Sequence, residues 1–125
     1  MVQEAYVSFE TAKLLKEKGF NEGCSTTYTS NGMFHTHNYS PLGSDIFAPT
    51  LQMAMCWLRE EKHYYIQIML DSWALGSHSG YYIVIQDINS DYDEISPETD
   101  DGVIFYHNYE KACEEAIKYC LKNLI

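Results

Sequence analysis

HYYIQIMLDSWALGSHSGYYIVIQDI, residues 63–88, decides the fold class of this chain. From residue 63 to 73 the pattern has a period of two, with Tyr64 and Ile66 facing one way and Tyr65 and Gln67 the other, which predicts a half-buried strand. ALGSHSG predicts a turn, and YYIVIQDI predicts the next strand. A connection this short favours an antiparallel pair.

Helical patterns lie on both sides of this hairpin. Ser8 is a good N-cap and Gly19 a natural stop for a first helix. Pro49 suits the first turn of a second helix, and Asn108 caps the last one. The second helix is apolar on most sides, so we expect it to be largely buried. The predicted helices span residues 8–18, 49–61 and 109–123.

Two further strand regions complete the predicted order. Residues 25–30 and 33–38 read as a hairpin around a two-residue Asn31-Gly32 turn, and residues 103–107 read as a short strand. The order is then α-β-β-α-β-β-β-α. We predict one α+β domain over residues 1–125, with an antiparallel sheet that carries its helices on one face.

Apolar helical positions predict the core. Trp57 and Leu58 on the second helix and Ile117 and Leu121 on the third should be buried. On the surface of the third helix, Glu114 and Lys118 are spaced as an i,i+4 ion pair. Of the four cysteines, Cys56, Cys113 and Cys120 are predicted to be buried thiols, and Cys24 lies in a loop.

Net charge restricts the partners. The 125-residue chain has 18 acids and 8 bases, a formal charge of −10, and no Lys or Arg occurs between Lys62 and Lys111. Such a surface repels phosphate, so we expect no nucleic-acid partner. No apolar run is long enough for a membrane helix, and the first residues lack a basic start and an apolar run, so we expect no membrane and a cytoplasmic location.

One acidic stretch, DINSDYDEISPE at residues 87–98, has nearly the spacing of a calcium loop. Tyr92 stands where an EF-hand needs glycine, Pro97 precedes the last ligand position, and the flanks read as strands. We interpret the stretch as a solvated acidic loop without a bound metal, with a weak non-EF cation site as the alternative. The candidate ligands would be Asp87, Asn89, Asp91, Asp93 and Glu98.

A second metal hypothesis concerns two histidines. His35 and His37 are two apart on a predicted strand, so both should point to one face. Cys24 and His63 could complete a zinc site only if the fold brings them close. We favour polar residues on an open hairpin face, and we predict no metal and no cofactor.

Tyrosine is abundant, with 11 copies in the chain. Tyr64, Tyr65, Tyr81 and Tyr82 should lie on adjacent strands, where cross-strand aromatic pairs stabilise a sheet. Tyrosine is also enriched in protein interfaces. We expect one tyrosine of each pair to pack the core and leave open whether the other forms a contact surface.

No catalytic signature is present: the sequence has no Ser/His/Asp order, phosphate loop or dinucleotide fingerprint. Catalysis is therefore the less expected class, and no catalytic or cofactor-binding residue is assigned.

Three segments carry a family resemblance: VSFETAKLLKEKGF, APTLQMAMCWLREE and YEKACEEAIKYCLKNLI. Together they resemble a family of small uncharacterised phage and prophage proteins of Bacteroides-type gut bacteria. The resemblance implies a mobile-element origin and a cytoplasmic life in the host cell, but no activity or site.

Two functional hypotheses follow. The first is a non-catalytic accessory protein that binds an unidentified protein partner through its sheet face or acidic loops, with a homo-oligomer also possible. The alternative is an acidic DNA-mimic decoy that occupies a host DNA-binding protein. A decoy needs its carboxylates in an ordered row. Because residues 87–102 are rich in loop-forming residues, we expect a mobile loop and no such row.

Overall fold

The computed structural model of the protein describes residues 2–36, 45–76, 78–91 and 93–125. The protein is an α+β fold with antiparallel sheets, as predicted. Its helices are α1 (Phe9–Glu17), α2 (Leu51–Lys62) and α3 (Tyr109–Tyr119), and α3 continues into a π-helical segment (Cys120–Leu124).

The helix N-termini form through side-chain caps. The Ser8 hydroxyl accepts the Thr11 N–H, and the Asn108 side chain accepts the Lys111 N–H, so both predicted caps are confirmed. The sequence predicts Pro49 in the first turn of α2, but the helix is capped by Thr50, begins at Leu51 and ends at Lys62.

The smaller sheet has the strand order β2-β1-β3. Its strands are β1 (Thr26–Tyr28), β2 (Phe34–Thr36) and β3 (Ile46–Phe47). The predicted β1–β2 hairpin is present, but its turn is wrong in detail. Thr29 pairs with Met33, so the loop has three residues, and the positive φ of 85° falls on Gly32. β3 is an additional strand, and the end of the predicted second strand at 37–38 lies outside the described residues.

The larger sheet has the order β4-β5-β6. Its strands are β4 (Tyr64–Leu75), β5 (His78–Asp87) and β6 (Asp93–Ile95). β4 and β5 extend into the predicted turn, because pairing resumes at Leu75 and His78 after a register shift. His63, in the left-handed region at φ 65°, ends α2 and turns the chain directly into β4.

The predicted strand at 103–107 is wrong in extent. In its place, β8 (Gly102–Val103) pairs with β7 (Glu98–Thr99) as a small hairpin, and Tyr106 alone bridges to Tyr81. β6 and Tyr106 therefore share one edge of β5. The acidic segment, predicted to be a loop, supplies β6 and β7 and the start of β8.

One hydrophobic core joins all three helices to the sheets. Trp57, Leu58, Ile117 and Leu121 are buried, which confirms the predicted core residues. The prediction that α2 is largely buried is wrong. Its Cys56 thiol is exposed, because the side of α2 that carries it faces away from the core.

Candidate interaction surface

The larger sheet has one buried and one open face. Ile66 of β4 and Ile83 and Ile85 of β5 point into the core, against α2 and α3. Alternation along each strand then places the intervening residues on the opposite face. Their cross-strand neighbours are Tyr65 with Gln86, Gln67 with Val84, and Met69 with Tyr82.

This open face carries apolar side chains in solvent. Tyr65 is 40% exposed and Met69 39% exposed. The Tyr82 ring packs edge-on against Phe105 at a centroid distance of 5.7 Å, which extends the apolar area beyond β5. We call Tyr65, Met69, Tyr82 and Phe105 the open sheet face.

The distal part of the hairpin adds two strongly exposed large hydrophobic side chains. Trp73 is 73% exposed and Leu70 is 56% exposed. Trp73 lies in the irregular part of β4, where the Asp71 carboxylate accepts the Trp73 N–H at 2.9 Å. This hydrogen bond holds the Trp73 backbone while its indole extends into solvent, where a large ring is available to a partner protein.

The tyrosines do not pair across strands as predicted. Tyr64 and Tyr65 lie opposite Asp87 and Gln86, whereas Tyr81 and Tyr82 lie opposite Leu70 and Met69. The division between faces is as predicted. The Tyr64 and Tyr81 rings pack against the core, and Tyr64 donates a hydrogen bond to the Leu124 carbonyl at 3.1 Å. Their neighbours Tyr65 and Tyr82 belong to the open sheet face.

A second apolar cluster lies at β2, where the Phe34 ring contacts those of Tyr6 and Tyr28. Met33 beside it is exposed. Residues 37–44, which follow β2 directly, lie outside the described residues. The exposure of this cluster therefore does not define a contact surface.

The segment with calcium-loop spacing forms a turn between β5 and β6. The Asp87 carboxylate accepts the Asn89 N–H at 3.0 Å, and Asp91 adopts a positive φ of 53°. Asp87 and Asp93 then pair across β5 and β6, while Glu98 lies on β7. Within the described ranges, no group of three or more His, Cys, Asp or Glu side chains could hold a metal ion.

Of the two histidines of the zinc hypothesis, one lies among the described residues. His35 lies exposed on β2, whereas His37 is outside the described residues. Cys24 approaches the Met53 sulfur at 3.9 Å and the Glu22 carbonyl, and His63 is at the far end of α2. These contacts of Cys24 are therefore with a backbone carbonyl and a methionine sulfur, and not with other zinc-ligating side chains.

Burial distinguishes the thiols. Desolvation raises the pKa of Cys120 to about 12 and that of Cys113 to about 11, so both stay protonated. Cys56 is exposed and accepts a contact from the Arg59 guanidinium at 3.3 Å.

Among the described residues, two of the α3 acids that a continuous row would need are engaged in other contacts. Asp93, Glu94 and Glu98 are exposed on β6 and β7. On α3, Glu115 pairs with Lys111 at 2.9 Å, and Glu114 turns inward to α1. The predicted Glu114–Lys118 pair is wrong, since Lys118 contacts Glu10 and Glu115.

No protein-family model, curated protein or solved structure matches this chain. The resemblance to phage and prophage proteins therefore stays a prediction. No helix in the described ranges is long and apolar enough to cross a membrane.

Proposed function

We propose that this protein is a small non-catalytic protein–protein interaction module, an accessory protein of a phage or prophage, that contacts its partner through the open sheet face and Trp73. The observation that carries the proposal is the solvent exposure of Tyr65 and Met69 on the regular part of the hairpin and of Trp73 at its irregular distal part. Tryptophan and tyrosine dominate interface hot spots, because their large rings lose little conformational entropy on contact.

The rigidity of the surface supports the same reading. β4 and β5 pair continuously from Tyr64 to Asp71, and Ile66, Ile83 and Ile85 anchor the opposite face in the core. A partner would therefore meet side chains whose backbone is already ordered, which reduces the entropic cost of binding.

The decoy alternative has weaker support. It needs carboxylates arrayed at phosphate-like spacing, continuous from the acidic segment to α3. Of the three α3 acids that would continue the array, Glu110 is exposed, but Glu114 contacts α1 and Glu115 contacts two lysines, which weakens the support for the decoy.

The test is a comparative pull-down from a Bacteroides-type host lysate, read by quantitative mass spectrometry. The bait variants are Trp73→Ser and Tyr65→Thr/Met69→Thr. The matched control is Met33→Thr/Met53→Thr, which removes exposed apolar side chains elsewhere. A partner held by the wild type and the control, but lost from both bait variants, supports the proposal.

Retention of every captured protein by both bait variants would contradict it. Displacement of the captured protein by duplex DNA, with a steep loss at raised salt, would favour the decoy.

A further inference from the structure

β4 is an edge strand of the larger sheet. It pairs with β5 on one side only, and along the described parts of the chain no strand pairs with its other side. An edge of this kind presents a row of backbone N–H and C=O groups to any extended chain that reaches it.

The pairing identifies which groups point outward. The His63 carbonyl accepts the Ile88 N–H at 2.9 Å, so these opposed residues form a hydrogen-bonded pair. Because hydrogen-bonded and non-bonded pairs alternate in an antiparallel ladder, the pairs at residues 65, 67 and 69 are bonded and those between them are not. On the far side of β5, Tyr81 and Tyr106 exchange both bonds at 2.9 and 2.8 Å, which agrees with this alternation. The outward-facing backbone groups of β4 therefore belong to Tyr64, Ile66, Ile68 and Leu70.

This edge lacks the usual protection against strand pairing. Natural edges carry lysines, prolines or bulges that block an incoming strand. Residues 64–70, YYIQIML, contain no charged residue and no proline, and their register with β5 is regular up to Asp71.

A groove of about 460 Å³ follows the edge. Its floor is β4 at residues 65–69, and its wall is α2, through Gln52, Met55 and Arg59, with Tyr109 of α3 at one end. The groove thus offers a strand edge beside a partly apolar helix side, the arrangement that receives an added strand.

The helical wall determines the kind of occupant. In a two-fold β4–β4 pairing of two copies, both α2 helices would lie on the same side of the joined sheet. Neighbouring strands in a sheet lie about 4.8 Å apart, whereas the axes of packed helices need about 8–10 Å. Because α2 already borders the groove beside β4, the two α2 helices would compete for the same space. A second copy would also bring a charge of −10 against −10. A single extended segment meets neither obstacle.

Charge complementarity orients that segment. Arg59 is the one charged side chain among the described residues that line the groove. Its carboxylate neighbour Glu60 is 3.9 Å away, longer than a charge-assisted hydrogen bond of about 2.7–2.9 Å. Since α2 turns directly into β4 at His63, Arg59 lies near the start of β4. A segment antiparallel to β4 would bring its C-terminal part to Arg59.

We propose that the β4 edge and the α2 wall form a strand-addition site for an extended segment of a partner protein, with apolar side chains toward α2 and an acidic side chain opposite Arg59. This site shares Tyr65 and Met69 with the open sheet face, but it goes beyond that face because it binds through backbone groups at the edge. In an added antiparallel strand, residues opposite Ile66 and Ile68 hydrogen-bond β4 and point toward α2. The segment's apolar residues therefore carry the N–H groups that β4 needs.

The probe is the peptide acetyl-TVTVTET-amide, in which the valines and the glutamate take the positions facing α2. It is titrated to millimolar concentration into the isotopically labelled full chain, and amide shifts are read by NMR. The backbone amides of Tyr64, Ile66, Ile68 and Leu70 should shift most, with smaller changes at the alternate residues.

Two matched peptides separate strand addition from ordinary side-chain contact. N-methylation of the two valines should abolish binding, whereas N-methylation of the two central threonines, whose N–H groups face solvent, should preserve it. Among protein variants, Arg59→Glu should weaken binding roughly tenfold, equivalent to about 1.4 kcal/mol. The Lys16→Glu control makes the same charge change on α1, outside the groove, and should leave affinity unchanged.

Three results would overturn the proposal: no shift along β4 at millimolar peptide, equal binding of both methylated peptides, or indifference to Arg59→Glu. Shifts of the same amides on concentrating the protein alone would instead assign the edge to a second copy. The module proposed above could still stand in each case, because Trp73→Ser tests a surface outside the groove.

Discussion

Glu114 makes a contact whose energy can be worked out from the structure. Its Oε1 accepts the Ser8 N–H at 2.9 Å and the Thr11 hydroxyl at 2.7 Å. Ser8 is the N-cap of α1, and Thr11 stands where a capping box would place its own glutamate. The carboxylate thus arrives from α3, across 106 residues, to do what a local glutamate does elsewhere.

The expected cost of Glu114→Ala follows from these two bonds. A hydrogen bond to a charged group contributes about 1.5–3 kcal/mol, and a carboxylate at a helix N-terminus adds about 0.3–1 kcal/mol. Against this, Oε2 is buried without a hydrogen-bond partner among the described residues, so its removal relieves some desolvation. We expect a net loss of about 2–4 kcal/mol in unfolding free energy. Glu114→Gln keeps an acceptor oxygen and should cost about half as much.

Urea unfolding followed by circular dichroism measures these losses, with an unchanged m-value as the check on two-state behaviour. A double-mutant cycle of Glu114→Ala with Thr11→Val should give a coupling of at least about 0.5 kcal/mol. Glu98→Ala, at an exposed β7 position, is the control and should stay within about 0.5 kcal/mol. A Glu114→Ala loss no larger than the control, or strict additivity in the cycle, would refute the capping role.

Four further predictions follow, one on the core, one on metal binding and two on the thiols. Leu121→Ala should lower the unfolding free energy by about 2–5 kcal/mol, and a loss under about 1 kcal/mol would mean that the C-terminal segment is not docked. Calcium titration by calorimetry should give no binding heat, and a dissociation constant at or below about 10⁻⁵ M, lost in Asp91→Ala, would contradict this. With a thiol reagent at about pH 8, Cys56 should react first, and Cys113 and Cys120 should react only on unfolding. The reason is that Cys56 is exposed, whereas the pKa values of Cys113 and Cys120 are raised to about 11 and about 12. Reaction of all three thiols at the same rate would contradict this prediction. In the unfolded chain both thiols have a pKa of 9.0, whereas in the folded protein their pKa values are higher. Above pH 9.0 the unfolded state therefore binds fewer protons than the folded state. The unfolding free energy should therefore fall as pH rises from 9.0 to about 11, less steeply when both are replaced by alanine.

Local periodicity predicted the elements that have their own hydrophobic pattern. Residues 63–73 alternate with period two, and β4 follows that pattern because its side chains alternate between core and solvent whatever the partner strand is. The same holds for the core residues Leu58 and Ile117, whose helical stripes are continuous.

Elements defined by tertiary pairing could not be predicted in this way. β6 has the sequence DEI, which has little intrinsic preference for a strand, and it forms because the edge of β5 offers hydrogen bonds opposite Ile85 and Asp87. The predicted Glu114–Lys118 ion pair is wrong for a related reason. Its spacing to Lys118 satisfies a local rule, but Ser8 and Thr11 compete for the carboxylate from a distant part of the chain.

Cys56 shows the limit of counting apolar residues on a helix. The sequence distributes Met53, Cys56 and Trp57 around one side of α2, which predicts broad burial. Only Trp57 of these is buried, because its ring reaches Phe20 at 5.4 Å while the other two point away from the core. Which part of a wide apolar stripe is covered depends on the neighbouring elements and not on the stripe.

The uncharged edge of β4 and the acidic composition of the chain act together. A lysine on the edge would close it to every strand, since the charge would be buried by any partner. Net charge acts differently: a second copy brings a net charge of −10, whereas the proposed segment brings a single carboxylate to the groove, which Arg59 offsets locally. Repulsion between whole molecules scales with the product of their charges, so it acts mainly against self-association. An open edge is therefore compatible with a chain that stays separate from its own copies and still accepts a strand from another protein.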